Sequence, residues 1–333
     1  MPATGGPATA VDEWPALCGA GINLPLPRGR YRGSLPALDL SLHLFIPLAC
    51  AFLYVVAALM LKRARALGVG VWRIGFLANW VMFLFFLPWW LAHPGTGGHA
   101  WTDYWQPAVS GLLFLGGQMF IFFALQGGDV SVTTPVMGTK VLMVALLSLL
   151  LRAGDVPWQW WTGAVLSTSA VALLHFGEPH GQRSRVGHTV LLAGMSALSF
   201  SLCDVLLQKW VVAWGSGRYL PPMFMFNALY TFAFVPFFRA PLTALDRRAW
   251  LWTGGGALLL AINNIGIALS IAVWRSATSV NILYSLRGLV SVALVWLIGH
   301  WFSNDEQHLT PRVFRFRLVG AALMLAAIVL VLV

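Results

Sequence analysis

The chain has 333 residues, of which 59% are hydrophobic and only 10% charged, and its formal net charge is +10. A composition this apolar excludes a water-soluble globular domain and is typical of a membrane protein with several spans. The basic residues lie almost entirely in short loops, which indicates a cytoplasmic membrane side and gives no reason to expect a nucleic-acid partner.

The chain begins with a polar stretch and continues as a series of apolar segments. Residues 1–39 contain proline, glycine and arginine without a long apolar run, and we interpret them as a flexible N-terminal tail. A polar break at 177–187 divides the rest into a first five-helix repeat at 40–178 and a second at 187–333. The ten segments of membrane-spanning length lie approximately at 40–61, 71–92, 106–126, 130–151, 157–176, 188–212, 221–238, 249–273, 277–302 and 312–333.

The two halves share a register. Adding 147 to each residue number lays residues 131–151 on residues 278–298 and places Lys140 on Arg287. Because each half has an odd number of segments, the second half enters the membrane upside down relative to the first. The predicted fold is an all-α membrane protein whose ten transmembrane helices form two inverted five-helix repeats. Such repeats place a substrate site near the bilayer midplane, at their interface, and permit alternating access.

Lys140 and Arg287 are the leading candidates for a functional site. A lysine or arginine at the centre of a membrane helix costs about 2.5–3.5 kcal/mol on insertion scales, so such residues usually face a bundle interior or a water-filled path. The comparably deep acid is Asp204, which we expect to act either as an ion-pair partner of one cation or as a proton-coupling site. One acid leaves one cation unmatched, and an anionic substrate would complete the charge balance.

Polar residues near these cations extend the candidate site. Helical spacing places Thr133 on the face of Lys140, and Tyr284 and Ser291 on the face of Arg287. Ordinary helix packing explains Thr133 and Ser291 equally well. Adjacent asparagines point about 100° apart on a helix, so we expect one of Asn263 and Asn264 to face the cavity and the other a neighbouring helix. The predicted substrate-binding residues are Lys140, Arg287, Tyr284, Thr133, Ser291, Asn263, Asn264, Asn281 and Gln118.

Two runs resemble a known family. Residues 124–148, ALQGGDVSVTTPVMGTKVLMVALLS, and residues 271–295, IAVWRSATSVNILYSLRGLVSVALV, are similar to the third-to-fourth and eighth-to-ninth helix turns of the drug/metabolite transporter superfamily in its EamA-like ten-helix form. The resemblance covers residues 40–333. Triose-phosphate and nucleotide-sugar translocators of that superfamily place cations of these helices against phosphate groups, which implies that Lys140 and Arg287 are anion ligands. Leu286-Arg287-Gly288 stands where the triose-phosphate type has a Lys-Arg pair.

Two criteria give opposite orientations. With the two core cations left out, twelve basic residues lie on the side opposite the amino terminus and seven on the amino-terminal side, which predicts that the termini face outward. The family resemblance implies that both termini lie in the cytoplasm. The sequence therefore leaves the topology open.

The preferred hypothesis is a secondary-active transporter that moves a small anionic metabolite, phosphorylated or carboxylated, by alternating access. An exporter of neutral or zwitterionic compounds such as amino acids or drugs, and a lipid-linked phosphate flippase, are alternatives. Outside transport, the chain could be a membrane-embedded enzyme or a scaffold. The sequence contains no nucleophile motif and no cluster with metal-ligand spacing, and a scaffold has no evident need for central cations in both repeats.

We therefore expect no enzyme activity, no cofactor and no metal. The expected partners are a small-molecule substrate, most simply an anion, and membrane lipids, without nucleic acid. The expected location is the bacterial inner (plasma) membrane, as a multi-pass integral protein.

Overall fold

The computed structural model describes residues 37–92, 100–127, 130–174, 186–290, 293 and 311–332. Within these ranges the chain is helical, with short turns and no β-strand. The helices are α1 (Ala37–Ala66), α2 (Val71–Ala92), α3 (Trp105–Gly127), α4 (Val130–Gly138), α5 (Lys140–Leu150), α6 (Trp158–Leu174), α7 (Val186–Trp214), α8 (Ser216–Tyr230), α9 (Arg247–Trp274), α10 (Ala277–Tyr284) and α11 (Pro311–Leu332). Short 3₁₀ turns at Trp101–Tyr104 and Thr231–Phe237 extend α3 and α8, and a third lies at Leu242–Ala244.

The chain is an α-helical integral membrane protein. Large apolar side chains such as Leu91 and Leu150 remain exposed on the helix surfaces, as lipid contact requires. Seven helical stretches in the described part of the chain are long and apolar enough to cross a bilayer, at Phe45–Ala66, Val71–Ala92, Trp101–Ala124, Thr133–Leu150, Gly187–Trp214, Ser216–Phe237 and Arg247–Trp274.

The seven stretches do not establish the ten predicted spans. The remaining three predicted segments correspond to α6, which has 17 residues, to α10, which has 8, and to α11, whose apolar part is Leu318–Val331. The predicted ninth segment, 277–302, extends beyond the described residues. It is helical again from 287 to 290 after the end of α10.

The first helix begins three residues before the approximate start predicted at residue 40. The helix begins at Ala37, inside the tail predicted for residues 1–39, because the apolar-rich sequence ALDLSLHL continues the helical turn toward the N-terminus. The rest of that tail lies outside the described residues, as does most of the predicted break at 177–187.

Helix packing brings both halves of the chain around one central region. Helix α9 packs along α1, α7 packs along α3, α4 and α5, and α5 meets α10. Small residues permit these close approaches. At Gly111 in α3, an added Cβ would lie 2.7 Å from the Met223 carbonyl oxygen of α8, so the two backbones pack directly against each other.

Candidate functional site

A cavity of about 520 Å³ lies among the helices, in the size range of small-molecule sites. Side chains from α1 and from every helix between α3 and α10 line it, so both halves of the chain contribute. The lining residues are Tyr54, Phe114, Gln118, Ile121, Thr133, Thr134, Met137, Gly138, Lys140, Val141, Val171, Phe200, Cys203, Asp204, Leu207, Met223, Phe224, Leu260, Asn264, Ile267, Ala268, Asn281, Tyr284, Ser285, Arg287 and Gly288.

Lys140 is neutralised within the cavity wall. Its Nζ lies 2.8 Å from Oδ2 of Asp204, and each side chain is only 11% exposed. The same carboxylate oxygen accepts a hydrogen bond of 2.8 Å from the Asn281 amide. A buried ion pair needs such additional hydrogen bonds to offset the desolvation of its charges. Asp204 of α7 therefore connects the cation of α5 to α10.

Arg287 has a different environment. Its guanidinium carbon lies 5.0 Å from the ring centroid of Tyr54 and 4.5 Å from that of Tyr284, within the range of cation–π attraction. The two rings meet edge to face, with centroids 6.1 Å apart. Within the described ranges, no carboxylate lies within 4.0 Å of this guanidinium. Among the residues that the structure describes, the cavity thus contains one cation paired with a carboxylate and one cation without an acidic partner.

Each cation follows an interruption in its helix. Helix α4 ends at Gly138 and α5 begins at Lys140, and α10 ends at Tyr284 before helical structure resumes at Arg287. Both interruptions tighten the backbone to a 3₁₀ turn. The Thr139 N–H donates to the Val136 carbonyl (3.1 Å), and the Leu286 N–H donates to that of Leu283 (3.2 Å).

Two adjacent residues of α6 donate hydrogen bonds to the two interrupted turns. The Thr168 hydroxyl donates to the Gly138 carbonyl oxygen at 3.2 Å. The Ser167 hydroxyl donates to the Ser285 hydroxyl at 2.6 Å, and Ser285 in turn donates to the Ile282 carbonyl. Helix α6 therefore fixes both turns that carry the cations, although it supplies little of the cavity wall itself.

The structure brings most of the predicted site residues to the cavity. Lys140, Arg287, Asp204, Tyr284, Thr133, Asn264, Asn281 and Gln118 all line it. Gln118 also exchanges amide hydrogen bonds of 2.9 and 3.1 Å with Asn79. Ser291 lies outside the described residues.

Asn263 does not line the cavity. It is fully buried, and its side-chain amide lies 2.8 Å from the Cys50 carbonyl oxygen and 3.2 Å from the Tyr284 hydroxyl when the amide nitrogen is assigned to face them. Of the two adjacent asparagines, Asn264 therefore faces the cavity and Asn263 faces α1. Asn263 contacts the site through Tyr284 and through the adjacent Asn264.

Tyr54 was not found from the sequence. The available signal was the 147-residue shift, which places Tyr54 on Ser201, a residue on the same helix face as Asp204. In the structure the Ser201 hydroxyl lies 3.2 Å from the Lys140 carbonyl oxygen. Helical spacing also predicts that Gln208 shares the face of Asp204. It lies one turn beyond Asp204, donates to the Ala153 carbonyl at 3.0 Å and accepts from the Ala277 N–H at 2.7 Å. It thereby joins the loop after α5 to the first residue of α10.

Comparison with known proteins shows where the fold occurs. No protein-family model matches the chain, and no curated protein matches its sequence. A solved structure described only as a crystal structure of a protein is similar, with a TM-score of 0.66 and 17% sequence identity. The similarity covers 87% of this chain and 96% of that one. The helical arrangement therefore occurs in an experimentally determined protein.

Proposed function

We propose that this protein is a secondary-active transporter that moves a small anionic metabolite by alternating access, without enzymatic chemistry. The observation that carries the proposal is the charge distribution in the cavity. Asp204 neutralises Lys140, while Arg287 lies on two tyrosine rings without a carboxylate in the described part of the chain. Arg287 is half-buried inside the helix bundle, where an unmatched cation is costly, and a bound anion would relieve that cost.

Ten transmembrane helices in two inverted repeats are part of this proposal. The positions at which helices begin and end support the two repeats. The 147-residue shift places Gly127, the last residue of α3, on Trp274, the last residue of α9. It likewise places Val130, the first residue of α4, on Ala277, the first residue of α10. Helix contacts support the repeats too. Under the same shift α1 corresponds to α7 and α3 corresponds to α9. Helix α1 packs on α9 and α7 packs on α3, so each contact is the counterpart of the other.

Alternating access would use this pseudo-symmetry. Exchanging the conformations of the two repeats would expose the same cavity to the other side of the membrane. The neutral Lys140–Asp204 pair would let the empty carrier reorient with fewer unpaired charges. As a proton site, Asp204 would in addition couple transport to a pH gradient, and Asp204→Asn would abolish pH-driven accumulation while sparing exchange.

Family and location belong to the same proposal. We place the chain in the drug/metabolite transporter superfamily, in its EamA-like form, and in the bacterial inner membrane. The interrupted helices before Lys140 and Arg287 agree with the two runs on which that resemblance depends.

An exporter of zwitterionic compounds is the second candidate. It is favoured by one observation, the presence of the Asp204 carboxylate and the Arg287 guanidinium in one cavity. A zwitterion would place its carboxylate on Arg287, and its ammonium would compete with Lys140 for Asp204.

Counterflow into proteoliposomes tests the proposal. The solutes are phosphorylated, carboxylated, zwitterionic and neutral compounds, and the proteins are wild type, Lys140→Ala, Arg287→Gln and the control Arg248→Gln, whose arginine is exposed at the start of α9. We expect wild type and control to carry an anion, and both cavity variants to lose that transport. Wild-type rates of all solutes in folded Lys140→Ala and Arg287→Gln would refute the site.

A further inference from the structure

We propose that the cavity selects a monoanion with an apolar body, such as a carboxylate, over the dianion of a phosphate monoester. The inference rests on the proposed function and narrows its substrate class. It follows from the number of charges in the cavity wall and from the chemistry of the surfaces around them.

The charge of the empty cavity is close to one positive unit. Lys140 and Asp204 form a pair at 2.8 Å and cancel, which leaves the Arg287 guanidinium. No other Asp, Glu, Lys, Arg or His among the described residues lines the cavity. One negative charge on a ligand therefore completes the balance, and a second would be buried without a partner.

For a second negative charge on the ligand, the described part of the chain offers no compensation in the cavity other than Lys140. A ligand that drew on Lys140 would have to displace Asp204, which the Asn281 amide also holds at 2.8 Å. The displaced carboxylate would then be an unpaired buried charge in its turn. Binding a dianion therefore exchanges one unmatched charge for another, whereas a monoanion at Arg287 leaves the Lys140–Asp204 pair intact.

One part of the cavity wall is apolar, whereas Gln118, Thr133, Thr134 and Asn264 contribute uncharged polar groups elsewhere. Phe114, Phe200 and Phe224 face the cavity together with Met137, Met223 and Leu260. Such surfaces bind an apolar group favourably and provide no charge to balance a second anionic group. The ligand that fits both parts has one anionic end and one hydrophobic end.

Four probes that share a phenyl ring separate charge from chemical identity. Phenylacetate and methyl phenyl phosphate are monoanions, phenyl phosphate is close to a dianion at about pH 8, and phenylacetamide is neutral. Binding is measured by calorimetry on the full-length protein in lipid nanodiscs. For wild type we expect the two monoanions to bind with similar affinity and the other two probes to bind about tenfold or more weakly, which corresponds to about 1.4 kcal/mol.

Two variants change the cavity charge in opposite directions. Asp204→Asn raises it by one unit, so we expect the preference to reverse toward phenyl phosphate. Arg287→Gln lowers it by one unit, so phenylacetate should lose its advantage over phenylacetamide. A merely structural defect would weaken all four probes together, whereas the ratios between probes report the charge. The exposed Arg248→Gln should keep the wild-type ratios.

The outcomes are distinguishable. Tighter binding of phenyl phosphate than of both monoanions to wild type would overturn this inference and leave anion transport standing. A preference for phenylacetate over both phosphates would contradict charge as the selected property. Absence of binding by every probe would overturn the inference together with the proposed cavity site. The comparison of wild-type affinities decides the question even if Asp204→Asn does not fold.

Discussion

The Lys140 and Arg287 segments occupy the same position in their halves of the chain but have different surroundings. Each cation follows an interrupted turn, and helix α6 holds both interruptions. Lys140 forms an ion pair with Asp204, whereas Arg287 lies against the rings of Tyr54 and Tyr284. The difference teaches that a repeated charge need not have a repeated role. One cation belongs to the wall of the cavity, and the other is available to a ligand.

The residue types agree with this division. A lysine ammonium is a compact point charge that a single carboxylate satisfies, whereas the planar guanidinium of arginine stacks on aromatic faces and can still bind a carboxylate through two parallel hydrogen bonds. Exchanging the two residue types would therefore not reproduce the site.

The largest expected effect is the loss of Arg287. Arg287→Gln removes the unmatched charge, and truncating one partner of a buried charge contact costs about 2–5 kcal/mol, or about thirtyfold or more in affinity. Anion transport by proteoliposomes should fall by at least that factor, while Arg287→Lys should retain part of it. Equal rates in wild type and Arg287→Gln at subsaturating anion would contradict the assignment.

The ion pair of Lys140 predicts that loss of Asp204 lowers the free energy of unfolding. Asp204→Asn leaves the Lys140 ammonium buried without a counter-charge, and breaking a buried pair in this way costs about 3–5 kcal/mol. Thermal unfolding in detergent should therefore occur at a markedly lower temperature.

The double variant Lys140→Met/Asp204→Asn is the matched control for that prediction. Because it removes both charges, it should recover much of the lost stability, and a double-mutant cycle gives the coupling between the two residues. Additive effects of the two single changes would show that the pair is not an energetic unit.

Smaller effects are expected from the hydroxyls of α6. Ser167→Ala removes the hydrogen bond to Ser285 beside Arg287, and Thr168→Val removes the one to Gly138 beside Lys140, each at a net cost of about 1 kcal/mol. Ser167→Ala should raise the KM for the anion several-fold, because its turn positions the ligand-binding cation. Thr168→Val should change thermal stability more than KM. The opposite pattern would reverse the roles of the two segments.

Much of the fold was accessible from the sequence because its physical signals are local. Length and apolarity alone indicate the long helices, and the 147-residue register aligns Lys140 with Arg287. The helix interruptions were less accessible, since each consists of a single tightened turn inside a long and otherwise apolar segment.

Pairing within the site depends on tertiary contacts. From the sequence, Asp204 could pair with either cation. Because α5 and α10 pack against α7, Asp204 forms its ion pair with Lys140. The stacking of Arg287 on Tyr54 joins residues more than 200 positions apart, and no periodicity in α1 marks that tyrosine as different from its neighbours. The separate directions of Asn263 and Asn264 follow from helix geometry, but which one faces the cavity depends on the position of α1.

The most direct test of the account is the position of a heavy-atom-labelled anion in an experimentally determined structure. A complex with 4-bromophenylacetate should give an anomalous bromine peak inside the cavity, with the carboxylate on the Arg287 guanidinium and the Lys140–Asp204 pair intact. A carboxylate bound to Lys140 with Asp204 displaced, or an Arg287 side chain turned toward lipid with the cavity empty, would contradict it.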